Sequence, residues 1–182
     1  NGHLDFLADD EAEATAITKK LLSFFQGAKK DWEEKDQTPL RTMIPEDRRK
    51  GFPVRDILNT IADEDSFLEM KKIFGRSVIT GFIRIEGRPF AVLANDCQQL
   101  GGAIDSSAAD KAANFIEICS AHGLPILSFV DTPGFMVGPD SEKEGAFRRM
   151  GELFKHGARI KTPLVGIILR RGYGLGAMAM MG

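Results

Sequence analysis

Apolar residues recur along this chain with two periods, and the places where the period changes mark out its elements. Ala14, Ile17, Leu21 and Phe24 follow helical spacing behind a capping Asp9 or Asp10, with Gly27 as a stop. From residue 28 to residue 53 charged residues and prolines outnumber apolar anchors, which predicts a long surface connection. Helical spacing returns at Val54, Ile57, Leu58 and Ile61 after Pro53, and again at Phe67, Leu68, Met70 and Ile73 after Asp65 or Ser66. The period then shortens: residues 78–85 and 90–94 read as strands, joined through Glu86-Gly87-Arg88-Pro89 into an antiparallel hairpin.

The second half alternates helix and strand. Asp105 or Ser106 caps a predicted helix over residues 107–121, whose Ala108, Ala109, Ala112 and Ala113 let it lie close to a sheet. A strand at residues 126–130 runs into Asp131-Thr132-Pro133-Gly134-Phe135, and a further helix begins near Glu142 with Phe147, Met150, Leu153, Phe154 and Ala158 on its apolar face. Leu164, Val165, Ile167, Ile168 and Leu169 predict a strand buried on both faces. It ends at Arg170-Arg171 and leads through Gly172, Gly174 and Gly176 into a new helix at Ala177. This order predicts an α/β architecture with parallel connections in its second half.

The composition is that of an ordinary globular protein, with 182 residues of which 43% are hydrophobic. Lys and Arg total 24 against 26 Asp and Glu, a formal charge of -2 that gives no support to nucleic acid or an acidic membrane as partner. No apolar run approaches the roughly 18 residues of a membrane span, and the first residues carry no targeting pattern. Cys97 and Cys119 lack metal-like spacing and read as buried free thiols in a reducing compartment. The chain opens on Asn1-Gly2 and stops as a helix should be growing, so it reads as a piece of a longer polypeptide.

The glycine-rich stretch admits three chemistries. Gly172-x-Gly174-x-x-Ala177 satisfies a relaxed dinucleotide fingerprint, although the acidic ribose partner would fall about 20 residues on, outside the chain. Asp131-Thr132-Pro133-Gly134 matches the DxxG switch sequence of GTPases, yet the Gly-Lys pair of a phosphate loop occurs nowhere in the sequence. In the third reading, Gly134-Phe135 and Gly176-Ala177 each contribute a backbone N–H to one oxyanion hole. His3 and His122 lack ligand partners, His156 fits a helix end, and Asp131 reads as a loop-organising acceptor.

The third pattern resembles the crotonase superfamily. More closely, the chain is similar to the carboxyltransferase (beta) subunit of biotin-dependent acyl-CoA carboxylases of the propionyl-CoA and acetyl-CoA type. The resemblance rests on Asp63-Glu64-Asp65-Ser66-Phe67, on residues 81–88 and 129–138, and on residues 168–177. It implies an incomplete crotonase-like domain. Residues 1–27 would end a first carboxyltransferase half, residues 28–53 would connect, and residues 54–182 would form a truncated second half. It further implies carboxyl transfer from carboxybiotin to the α carbon of a short acyl-CoA, with carbon dioxide released and the ureido nitrogen taking the α-proton.

Carried over by position, Gly134, Phe135, Gly176 and Ala177 would be catalytic and, with Gly174, would hold biotin, while Met178 and Ala179 would line the acyl pocket. The family often reads Tyr-Gly-Gly-Ala where this chain has Tyr173-Gly174-Leu175-Gly176-Ala177, an additional residue that shifts the local register. No metal is implied. Biotin carboxyl carrier protein, biotin carboxylase and a homo-oligomer are the implied partners. The implied compartment is the cytoplasm, or the mitochondrial matrix in a eukaryote. A decarboxylase or transcarboxylase of the same lineage, and a piece acting only in binding and oligomerisation, are the alternative functions.

Overall fold

The computed structural model describes residues 2–143 and 145–182. In chain order the elements are α1 (Glu11–Ser23), α2 (Leu40–Met43), α3 (Val54–Ile61), β1 (Leu68–Met70), β2 (Val78–Ile85), β3 (Arg88–Asn95), a 3-10 turn at Leu100–Gly102, α4 (Ser106–Ala121), β4 (Ile126–Thr132), α5 (Pro139–Lys143), α6 (Ala146–Arg159), β5 (Leu164–Gly172) and α7 (Gly174–Met181). The five strands form one sheet in sequence order. β1, β2 and β3 are antiparallel neighbours, whereas β3, β4 and β5 run parallel.

Alternation along the strands sends side chains to two cores. Val78 and Phe82 of β2, Ala91 and Leu93 of β3, and Ile126 and Val130 of β4 share one cluster with α4, Leu153 of α6 and Met180 of α7. Ile79, Ile83, Val92, Ala94 and Phe129 point the other way, onto Phe52 and Val54, Ile57 and Leu58 of α3. Ala108, Ala109, Ala112 and Ala113 of α4 are essentially inaccessible, as a helix lying close to a sheet requires. Asp10 and Asp105 accept from Glu13 N and Ala108 N and so cap α1 and α4.

The hairpin turn is tighter than its sequence predicts. Glu86 and Gly87, at φ 51° and 73°, are its two central residues, and Ile85 pairs directly with Arg88, the geometry of a type I′ turn. Asp63 clamps it, its two carboxylate oxygens accepting from Glu86 N at 2.9 Å and Gly87 N at 2.7 Å. The predicted helix at Phe67–Ile73 does not form: Leu68–Met70 is instead the edge strand β1. Tertiary pairing overrides helical spacing here. Gly81 lets β1 approach so closely that a Cβ there would lie 2.6 Å from Leu68 O, and Arg55 grips Glu69 with two bonds of 2.8 and 2.7 Å.

Three further expectations change. The helix near Glu142 is two helices, α5 and α6, with residue 144 outside the described residues and Gly145 in the left-handed region at φ 72°. Ala146, Met150, Leu153 and Gly157 form the buried row of α6, which leaves Phe147 71% exposed and Ala158 at the surface. β5 is an edge strand among the described residues, so Val165 and Ile168 are 52% and 55% exposed rather than covered on both faces. Both cysteines are free and buried. Among the described residues, no helix is long and apolar enough to cross a membrane, and no three potential His, Cys, Asp or Glu ligands gather for a metal.

Lys111 of α4 is buried behind the sheet at 1% exposure, its ammonium donating to Val78 O at 2.8 Å. Burial lowers its pKa from 10.5 to about 8, with Glu69 pulling the other way. Between those two pH values the unfolded chain holds a proton that the folded chain has released, so this group's contribution to stability rises with pH across that window. Lys111→Met is therefore expected to be more stable than the parent at pH 7, by about 1 to 2 kcal/mol in urea melts, and to lose that margin by pH 10.5.

Candidate functional site

β4 and β5 run parallel and finish side by side, each delivering a glycine loop at the same end of the sheet. After β4, Gly134 sits at φ 122°, a conformation open to glycine, and Thr132 folds the loop back: its hydroxyl accepts from Gly134 N at 3.0 Å and donates to Gly134 O at 3.2 Å. The loop is stitched to residue 104 as a short parallel bridge, with Ile104 N donating to Gly134 O and Met136 N to Ile104 O. In a strand-like pleat the intervening N–H faces the opposite side. Among the hydrogen bonds of the described residues, none uses the Phe135 N–H.

After β5, Tyr173 caps α7, and its own N–H donates to Thr132 O at 3.2 Å, which ties the two loops together. Gly174, Leu175 and Gly176 then occupy the first helical turn, where backbone N–H groups have no intrahelical acceptor and the positive end of the helix dipole lies. The decisive contact is at Gly176. A Cβ on it would lie 2.7 Å from Gly134 Cα and 3.0 Å from Phe135 N, so the two loops meet at a distance that only glycine permits.

The expected residues do not all stand where the sequence put them. Gly134, Phe135 and Gly176 are brought together, and Gly174 lies at the mouth of the same helix. Ala177 is one residue too deep: its N–H donates to Tyr173 O at 3.4 Å, closing the first turn of α7. Among the hydrogen bonds of the described residues, none uses the Gly176 N–H one residue earlier. Met178 is 58% exposed, whereas Ala179 is 2% exposed and faces the core between helix and sheet.

Beneath the loops lies an ion cluster that composition and motif did not reveal. Asp131 is fully buried; Arg171 N and Nε reach one of its oxygens at 3.0 and 2.8 Å, and Arg171 Nη2 and Arg170 Nη2 reach the other at 3.1 and 2.9 Å. Burial pushes the Asp131 carboxyl upward, but hydrogen bonds from Arg171 and Arg170 outweigh it and hold the group below the usual carboxylate range. Arg170 also lies over the Phe52 ring, 4.9 Å from its centroid, and donates to Lys50 O at 2.7 Å. The available signal was a buried aspartate at one strand end and two arginines at the next, since charges finishing inward-facing strands must pair.

These features define an α/β domain in which two glycine loops meet at the ends of neighbouring parallel strands. All of residues 1–182 match the carboxyl transferase domain, and the chain belongs to that family. It is 34% identical to the propionyl-CoA carboxylase beta chain of Saccharopolyspora erythraea, covering 100% of this chain and 36% of that protein. Among solved structures it matches a single-chain, multi-domain long-chain acyl-CoA carboxylase with TM-score 0.96 at 46% identity, over 99% of this chain and 18% of the other. A transcarboxylase 12S hexamer with methylmalonyl-coenzyme A bound matches with TM-score 0.91 at 33% identity, over 98% and 37%. The fold is therefore crotonase-like, and the chain spans about a third of the length of the curated relatives it matches.

Proposed function

We propose that this chain forms part of an enzyme that transfers a carboxyl group between carboxybiotin and the α carbon of an acyl-CoA. The observation that carries the reading is the meeting of Gly176 with Gly134 and Phe135, which sets two unsatisfied amides beside each other at a helix N-terminus. A Cβ on Gly176 would strike the Gly134 and Phe135 backbone, so the close approach of the two loops depends on glycine at this position. Carboxybiotin, when delivered by its carrier, supplies both the carboxyl group and the base. The chain's part is to bind and orient: Phe135 N–H and Gly176 N–H offer hydrogen bonds to the ureido oxygen, and the α7 dipole favours negative charge there.

Gly174 supports the same subsite from the helix mouth, and Met178 is the pocket-lining residue this chain contributes on the solvent side. Biotin carboxyl carrier protein, biotin carboxylase and further copies of the subunit complete the assembly. Propionyl and long-chain acyl groups both figure in the names of the relatives, so acyl length is decided by competition between substrates. The likeness to the transcarboxylase 12S structure favours a biotin-dependent transcarboxylase of the same lineage as the second reading.

The intact polypeptide, supplied with biotin carboxylase, biotinylated carrier, ATP and labelled bicarbonate, is expected to place acid-stable label in propionyl-CoA or palmitoyl-CoA. Avidin should abolish it. Label passing from a carboxylated acyl-CoA to the biotinylated carrier with no requirement for ATP, and none fixed from bicarbonate, supports the second reading. Absence of label from both assays, with a folded and biotinylated system, would overturn the proposal.

A further inference from the structure

β4 and β5 pair residue for residue as far as Val130 and Ile168, and then the register breaks: the next pair is Thr132 with Gly172. One residue of β4, Asp131, thus faces three of β5, Leu169, Arg170 and Arg171. A bulge of that size bends a strand and re-aims the segment beyond it. Here the segment beyond it is the site. Gly134 and Phe135 are three and four residues beyond Asp131, and Gly176 is five residues beyond Arg171.

We propose that Asp131 is the positioning residue of this site: by pinning the bulged Arg170-Arg171 segment to the end of β4, it sets the distance between the Phe135 and Gly176 amides. The proposal rests on the catalytic reading of those amides for its kinetic consequence, but its geometric content stands apart from that reading.

Four hydrogen bonds from two consecutive residues converge on this one carboxylate, and one comes from the backbone N–H of Arg171, so the main-chain path of the bulge is fixed directly. Asp131 is anchored in turn. Its N–H donates to Asn95 Oδ1 at 3.3 Å, and its carbonyl oxygen occupies the space that a Cβ on Gly102 would need. Arg171 Nη2 reaches on to Gly101 O at 2.7 Å. Both strand ends are therefore referred to the same wall at residues 95–102. Arg170 Nε is buried without an acceptor, and Asp131 is the carboxylate that both arginines share among the described ion pairs.

The test uses the intact protein and pairs Asp131→Asn with Glu69→Gln, which weakens the Arg55 ion pair on the opposite edge strand and serves as a control for lost stability. Asp131→Asn is expected to lower kcat about 100-fold, as a misplacement of about 1 Å does, with KM for acyl-CoA nearly unchanged. Amide hydrogen exchange should quicken at Gly134, Met136, Tyr173 and Ala177, whose N–H groups are bonded, and stay slow in β2 and β3. Glu69→Gln should lose comparable thermal stability with kcat intact.

Equal kcat in the two variants, or unchanged exchange in both loops, overturns the positioning role. Should Asp131→Asn fail to fold, Asp131→Glu decides. It keeps the charge but lengthens the link by one methylene, so about a tenfold loss of kcat supports the proposal and an undiminished kcat overturns it. If the parent protein transfers no carboxyl group at all, the catalytic reading fails, and hydrogen exchange still judges the positioning role.

Discussion

Gly176→Ala in the intact protein is expected to lose carboxyl transfer by about 100 to 1,000-fold in kcat while remaining folded. The added methyl would lie 2.7 Å from Gly134 Cα, 2.8 Å from Gly134 C and 3.0 Å from Phe135 N, all backbone atoms that cannot swing aside. One loop must move, and the two amides part. Locally the helix gains, because alanine is favoured over glycine in a helix by about 1 kcal/mol, which offsets part of the steric cost. The expected signature is a modest change in Tm beside a large fall in kcat. A variant with parent-like kcat would show that the contact is mere packing. Ala177→Pro would be a poorer test, since the N–H it deletes is the one that closes the first turn of α7 onto Tyr173 O.

Phe82→Ala should cost about 3 to 5 kcal/mol, the largest stability loss foreseen from a single change. Phe82 is 1% exposed, and its ring meets three others: Phe24 at 5.4 Å, Phe25 at 5.7 Å and Phe115 at 5.4 Å between centroids. α1 itself contains no buried residue; it is fastened to the sheet by Phe24 and Phe25 just beyond its end, together with half-buried Leu21, the Lys20 ammonium on Phe67 O and the Arg84 guanidinium on Ser23 O. For a domain of this size the loss corresponds to a fall in Tm of about 10 °C. Protease sites in α1 should open before those in α4. A fall in Tm of less than about 2 °C would mean that α1 is held by something other than the aromatic stack.

Sequence patterning reached as far as local rules reach. The α4 cap, the apolar runs of β2, β3 and β4 and the parallel second half follow from periodicity and turn chemistry. Leu68–Met70 did not, because part of the helically spaced run Phe67, Leu68, Met70 and Ile73 became a strand through the absent side chain of Gly81 and the grip of Arg55 on Glu69. Exposure of β5 was equally out of reach, since an apolar run carries no sign of whether a neighbour lies beside it. At the site, the glycines announced themselves by type. Their partnership was one of three readings that the spacing left open, for the contact between Gly176 and Gly134 spans 42 residues and is made by atoms that every residue possesses. Which amide of α7 is bonded depends on where the helix starts: Ala177 N–H closes the first turn onto Tyr173 O.

Cys97 gives the segment before α3 a chemical clock. Its sulfur accepts from Phe52 N and donates to Phe52 O, both at 3.3 Å, imitating a backbone pair across the rim of the sheet. Burial raises its pKa, so the thiolate that alkylating reagents attack is scarce until Phe52 lifts away. Cys119 lies fully inside α4's packing, with a pKa pushed to about 12. The two sulfurs therefore age at different rates: one measures how often the rim opens, the other how often the core does.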